Sequence, residues 1–202
     1  MSEYNHGLNL ASNDALLIVD LQNDFLPGGA LGIEGADEII PTINAYIEKF
    51  EQKQQCIIFS RDWHPQDHCS FNNQSGPWPV HCVQNTHGAA LSNILNWPSQ
   101  ALLVSKANTS SEDAYSAFEK TALATRLKNM HIERLFICGL ATDYCVLHTT
   151  LDAIKAGFDC YLLTDAIDAV NIQSDDGTKA IEKMNQAGAT PITIGEIDTV
   201  TQ

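Results

Sequence analysis

Short apolar runs alternate with longer amphipathic stretches along this chain. The runs predict strands over 15–20, 55–61, 101–105, 133–139, 158–163 and 190–194. Helical periodicity predicts helices over 37–53, 117–129, 143–156 and 177–187. In the first of these, Ile39, Ile43, Tyr46, Ile47 and Phe50 fall on one face, and Pro41 is tolerable only in the opening turn. Gly157 and Gly188 stand where helix C-terminal glycines belong. Strands such as Ala15-Leu-Leu-Ile-Val19 are apolar without alternation, which requires burial on both faces. That pattern implies an α/β fold, three-layer α/β/α, with a central, mostly parallel sheet.

In a parallel sheet all strand carboxyl ends open on one side, where ligands bind. Four of the runs end in, or lead to, residues with chemical potential. The first ends at Asp20, the second leads to Asp62-Trp63-His64, the third ends at Lys106, and the fourth leads to Cys145. Cys145 is expected in the first turn of a helix, where free N–H groups and the helix dipole favour a thiolate. Each residue also has a bland reading. Cys145 could be a buried small hydrophobe, Asp20 a turn cap, and Lys106 a solvent-facing lysine after a strand. A partly buried Asp20 could equally act as a general base, and Lys106 could hold a neighbouring carboxylate or thiolate in its ionised form.

Residues 63–97 break the pattern. This stretch is rich in Pro, His, Asn, Gln and Gly and holds His64, His68, His81 and His87, four of the seven histidines. So long an irregular insertion is usually functional, and its histidines suggest a metal site or a substrate lid. Asp62 and His64, with His68 and His81 beyond, could ligate Zn²⁺, Fe²⁺ or Mn²⁺, though hydrogen bonding within a polar loop would also explain them. No linker or repeat divides the remaining chain, so one domain is expected over 1–202, with 1–13 a loose polar extension.

The 202 residues carry 25 acidic and 11 basic side chains, a net charge of −14, which argues against a nucleic acid or an anionic membrane as partner. No signal-peptide pattern or membrane-length apolar run is present, so a cytoplasmic protein is expected. Six cysteines without a CxxC pair suit free thiols in a reducing compartment. The absence of G-x-G-x-x-G, P-loop and G-x-S-x-G patterns removes the main support for dinucleotide binding, NTP hydrolysis and serine-hydrolase chemistry.

Five segments together resemble the nicotinamidase/pyrazinamidase branch of the isochorismatase-like cysteine hydrolases. They are Leu-Leu-Ile-Val-Asp20-Leu-Gln-Asn-Asp-Phe25, Ser-Arg-Asp62-Trp-His64-Pro, Trp78-Pro-Val-His81-Cys-Val, Ser-Lys106 and Gly-Leu-Ala141-Thr-Asp-Tyr-Cys145-Val. The resemblance runs from about Asp14 to the last strand. It implies an isochorismatase-like fold and a Cys145–Asp20–Lys106 triad that deamidates nicotinamide, and by extension pyrazinamide, through a thioester in NAD salvage. It further implies an oxyanion hole from the N–H groups of Ala141 and Cys145, beside a cis Leu140–Ala141 bond.

By the same resemblance, Asp62, His64 and His81 hold one divalent metal, zinc before iron or manganese, which binds the pyridine nitrogen. His68 matches a position that is a ligand in some members only. Phe25, Trp78 and Tyr115 match pocket residues, and a homo-oligomer is expected. Cys69 is an additional thiol close to the expected metal. Two other readings stay open: another amide or carbamoyl hydrolase that needs no ring-binding metal, and a non-catalytic relative, for which a retained Asp20, Lys106 and Cys145 would have no use.

Overall fold

The computed structural model describes residues 7–197. Its six strands are β1 (Asp14–Val19), β2 (Cys56–Asp62), β3 (Leu102–Lys106), β4 (Arg134–Leu140), β5 (Asp159–Asp168) and β6 (Thr190–Ile192). They form one sheet in the order β3-β2-β1-β4-β5-β6, and every pairing is parallel. The expected strands are reproduced within a residue or two except β5. It continues to Asp168 past a register shift against β4 between Ile137 and Gly139. The apolar run gives no sign of that extension because Thr164 and Asp165 interrupt it. Asp165 is nonetheless accommodated, accepting bonds from the Tyr46 hydroxyl at 2.7 Å and the Ile194 N–H at 2.9 Å.

The helices are α1 (Ile40–Gln52), α2 (Leu123–Asn129), α3 (Leu147–Lys155) and α4 (Asp176–Ala187). Alternation along the strands divides the core into two layers. Leu16, Ile18, Phe59, Phe136 and Cys138 face α1 through Ile40, Ile43, Tyr46, Ile47 and Phe50. Leu17, Val19, Ile58, Leu135 and Ile137 face the other three helices through Leu123, Leu147, Ala153 and Met184. The sheet is therefore covered on both faces, as its unbroken apolar strands require. None of the described helices is long and apolar enough to cross a membrane.

Two local expectations need correction. The helix expected over 117–129 is regular only from Leu123. Lys120 adopts a left-handed φ of 53°, and Thr121 Oγ1 turns back to the Ala117 carbonyl at 2.7 Å, so the preceding residues form turns. Of the expected loose extension, residues 1–6 lie outside the described residues, while the part that follows is docked. Leu8 bridges to Ile197, its N–H bonds Glu196 O at 2.6 Å, and Leu8 and Leu10 pack against the core. Those two leucines have apolar surface to bury, which outweighs the polar character of their neighbours. Residues 63–97 are irregular as expected, with a short 3-10 turn at Asn72–Gln74 and isolated bridges to the frame.

The chain leaves central β1 for β2 and β3 on one side, then crosses to β4, β5 and β6 on the other. The loops after β1 and β4 therefore diverge and open a crevice at the carboxyl edge. Gly139 lets the two strands close beneath it. Its φ is +110°, and a Cβ there would run into the backbone carbonyl of Val19. We expect Gly139→Ala to lower stability in urea unfolding by about 1–3 kcal/mol or more, and an unchanged midpoint would show that the contact is soft.

Candidate active site

The crevice gathers side chains from the carboxyl ends of β1, β2, β3 and β4. Asp20 follows β1 in a left-handed conformation (φ 47°), an uncommon state that turns its carboxylate back under the rim. The Ser60 hydroxyl on β2 donates to Asp20 Oδ1 at 2.6 Å, leaving Oδ2 without a well-angled donor. Lys106, the last residue of β3, reaches Asp20 Oδ2 at 2.9 Å and Asp62 Oδ1 at 2.5 Å. The same ammonium lies 3.1 Å from the Ala114 carbonyl and 3.5 Å from Cys145 Sγ. It has only three N–H donors for these four neighbours, and the geometry favours Asp62, Ala114 and Cys145. Asp20 Oδ2 is held by charge rather than by a directed bond, so it stays free to accept a proton. All three ionisable partners are buried, with Asp20 at 0 %, Lys106 at 1 % and Cys145 at 6 % exposure.

The electrostatics follow from that burial. Desolvation pushes Asp20 above the usual carboxylate range, Lys106 pulls it down, and the Asp62 charge pushes it up again, so it is a stronger base than a free aspartate. Burial also drives the Cys145 thiol well above its ordinary value; the Lys106 ammonium opposes that shift and the Asp20 and Asp62 charges add to it. Burial disfavours the Lys106 ammonium, yet Asp20 and Asp62 hold its pKa well above that of free lysine. Burial opposes ionisation of Asp62, but the Lys106 ammonium holds its carboxyl below the usual carboxylate range. Burial thus favours the neutral thiol of Cys145, with Asp20 the adjacent carboxylate that could take its proton. Cys145 lies within a π-turn (Thr142–Val146) that precedes α3 and opens directly after a cis Leu140–Ala141 bond.

Beside this cluster, donor atoms of Asp62, His64 and His81 lie within 4.8 Å of one another, all three buried. His64 Nδ1 faces the Ala107 carbonyl at 3.1 Å and His81 Nδ1 faces the Pro79 carbonyl at 2.8 Å. Each carbonyl needs a donor, so each ring carries its proton on Nδ1 and turns the Nε2 lone pair to the shared space. Two imidazoles and a carboxylate, already in the tautomers a divalent cation needs, suit such an ion with coordination positions left for a ligand. His68 is placed differently. It stacks on His64 at 4.1 Å, but its Nδ1 contacts Ser70 Oγ at 2.7 Å and its Nε2 contacts the Glu112 carbonyl at 3.1 Å. With both nitrogens engaged, it stands outside the three-residue group. Among the described residues, Cys69 joins no such group either.

Above Cys145 and Asp62 opens a pocket of about 500 Å³ including its mouth, walled by Phe25, Trp78 and Tyr115. Trp78 Nε1 donates to the Tyr115 hydroxyl at 3.0 Å, which fixes both rings. Ala141 also lines the pocket. Four further wall residues escaped sequence reasoning: Leu31, Ile33, Tyr144 and Val170. Leu31 and Ile33 arrive because residues 24–33 double back, with Leu31 N bonded to Asp24 O and Ile33 N to Phe25 O. Their alternating spacing after Gly28-Gly29 was the available signal. Val170 is held by Asp143, whose carboxylate accepts the Val170 and Asn171 N–H groups at 3.0 and 2.9 Å. Nothing local in the sequence announces that contact.

The family model of the isochorismatase domain matches residues 14–196. The nicotinamidase of Escherichia coli (strain K12) is 39 % identical over 203 residues, covering 90 % of this chain and 95 % of that one. The pyrazinamidase of Pyrococcus horikoshii in complex with zinc superposes with a TM-score of 0.87 at 46 % identity, covering 90 % of this chain and 99 % of that one. A protein from L. infantum in complex with nicotinate gives a TM-score of 0.86 at 35 % identity, covering 95 % and 98 % of the two chains.

The burial makes a stability prediction. Lys106→Met strands two carboxylates without their cation, and urea unfolding of the metal-free protein is expected to show a loss of about 3–5 kcal/mol. Adding Asp20→Asn is expected to return part of that loss, and independent, additive effects would show that the two side chains are not coupled.

Proposed function

The chain belongs to the isochorismatase domain family, and from that premise we infer that it is a nicotinamidase. It is a hydrolase that converts nicotinamide and water to nicotinic acid and ammonia, a reaction of NAD salvage. The observation that carries this reading is one juxtaposition. A buried thiol, a base with a free oxygen and a shared ammonium lie at the floor of an aromatic pocket, next to a ready set of metal donors. A flat heteroaromatic amide matches both halves of that site.

In this reading the ring lies among Phe25, Trp78 and Tyr115 with its carboxamide over Cys145. Asp62, His64 and His81 would hold a divalent metal, which we take to be zinc, and when bound it would supply an electrophile for the pyridine nitrogen. Asp20 Oδ2 accepts the Cys145 proton as Sγ bonds to the amide carbon. The N–H groups of Ala141 and Cys145 face the oxygen that gains charge. Lys106 stays charged throughout and offsets the negative charge moving between Asp20 and the sulfur. The carbon–nitrogen bond then breaks, and Asp20 returns its proton to the departing ammonia. A water molecule, deprotonated by the same carboxylate, attacks the thioester and frees nicotinic acid and the thiol. Pyrazinamide keeps a ring nitrogen in the corresponding position, so it is a second substrate under the same account.

The test is ammonia release from nicotinamide by purified protein. Cys145→Ala is expected to lower kcat/KM by at least about 10⁴-fold. Chelation is expected to remove most activity, with recovery on adding zinc. Activity that survives full metal removal would contradict the role given to Asp62, His64 and His81. Elemental analysis after gel filtration separates the histidines: His81→Ala is expected to lose the metal and His68→Ala to retain it. Loss of the metal from both would make His68 a fourth ligand.

A further inference from the structure

We propose that Gln22 is a positioning residue for Asp62, and through Asp62 for Lys106, because its side-chain amide replaces a strand that ends too early. Regular β1–β2 pairing stops at Ile18 opposite Phe59, and one further bond follows from Asp20 N to Ser60 O at 3.3 Å. The left-handed turn at Asp20 then takes the chain away, with Gln22 N closing on Asp20 O at 2.8 Å. In a parallel strand the N–H and C=O of one residue point to the same neighbour. Those of Asp62 point to the β1 side, where no backbone remains to meet them, while Trp63 N bonds Lys106 O on β3 at 3.1 Å.

Gln22 fills that gap. Its Oε1 accepts the Asp62 N–H at 2.7 Å and its Nε2 donates to the Asp62 carbonyl at 2.8 Å. A carboxamide presents the same donor and acceptor as a peptide group, so the side chain continues the ladder by one step. The second hydrogen of Nε2 goes to the Ala89 carbonyl at 2.9 Å, and the Gln22 backbone bridges to Leu91. One fully buried amide thus joins the ends of β1 and β2 to residues 89–91 of the insertion.

The consequence lies in the carboxylate that this backbone carries. Asp62 Oδ1 is 2.5 Å from the Lys106 ammonium, and Oδ2 is 3.7 Å from His64 Nε2. A shift of the Asp62 backbone disturbs both contacts, so Gln22 sets metal affinity and ammonium placement while touching neither. Methionine of equal length makes none of the three bonds. Glutamate keeps the bond from the Asp62 N–H but sets an oxygen against two carbonyls.

This inference rests on the reading of Asp62 as a metal ligand, and the experiment keeps the two apart. Metal-free wild type, Gln22→Met, Gln22→Glu and Asp62→Asn are titrated with Co²⁺ and Zn²⁺ against a chromophoric chelator. Thermal unfolding of each metal-free protein is recorded alongside. Both Gln22 variants are expected to fold and to bind the ions about 10- to 100-fold more weakly, with altered Co²⁺ visible bands. A lower unfolding temperature with wild-type metal affinity would make Gln22 merely structural and overturn the proposal, as would failure of both variants to fold. If Asp62→Asn binds as tightly as wild type, the ligand reading itself falls, and the role of Gln22 falls with it.

Discussion

The Lys106 ammonium, buried between Asp20 and Asp62, is the interaction on which the rest of the site depends. Three strand ends meet at that one nitrogen, and Cys145 approaches it from a fourth. Two carboxylates in a dry interior would not both stay ionised without it, and the ammonium would not stay charged without them. The ammonium and the two carboxylates together carry one net negative charge, and burial raises the Cys145 thiol beside them. In the proposed reaction, chemistry begins with a short proton transfer inside the cluster, in surroundings that are already oriented.

Asp62 is the hinge between the two halves of the site. One oxygen serves the ammonium and the other faces His64, so the Lys106–Cys145 cluster and the candidate metal donors share a single carboxylate. Such sharing demands a rigid backbone, and the structure supplies it in several places. Asp20, Cys82 and Ala107, each at the edge of the site, all adopt left-handed conformations. Asp24 accepts the Cys82 N–H at 2.6 Å, which ties the Phe25 loop to the residue after His81. Ser60 orients one oxygen of Asp20 and leaves the other for Lys106 and Cys145. These are local costs carried by a well-packed parallel sheet.

Much of this was legible in the sequence for a simple reason. Apolar runs buried on both faces mark parallel strands, and parallel strands deliver their terminal residues to one edge. Asp20, Asp62, Lys106 and Cys145 could therefore be grouped before any coordinates were known. Gln22 and Ser60 could not, because each looks like an ordinary polar residue and its partner lies some 40 positions away in the chain. Tyr144 and Val170 enter the pocket through turns whose direction depends on tertiary contacts. The tautomers of His64 and His81, and the engagement of both nitrogens of His68, depend on backbone carbonyls that no spacing rule reveals. The helix start expected to favour a Cys145 thiolate is met by burial that raises the thiol, an effect that only tertiary packing reveals.

The central claim is covalent: the acyl group passes through Cys145. Turnover of nicotinamide in the presence of hydroxylamine tests it most directly, because a thioester partitions between water and the stronger nucleophile. The account predicts nicotinohydroxamic acid in proportion to hydroxylamine, with ammonia release no slower than in its absence. Nicotinic acid as the sole product at every hydroxylamine concentration, with unchanged turnover, would mean that water attacks the amide directly and would contradict the account.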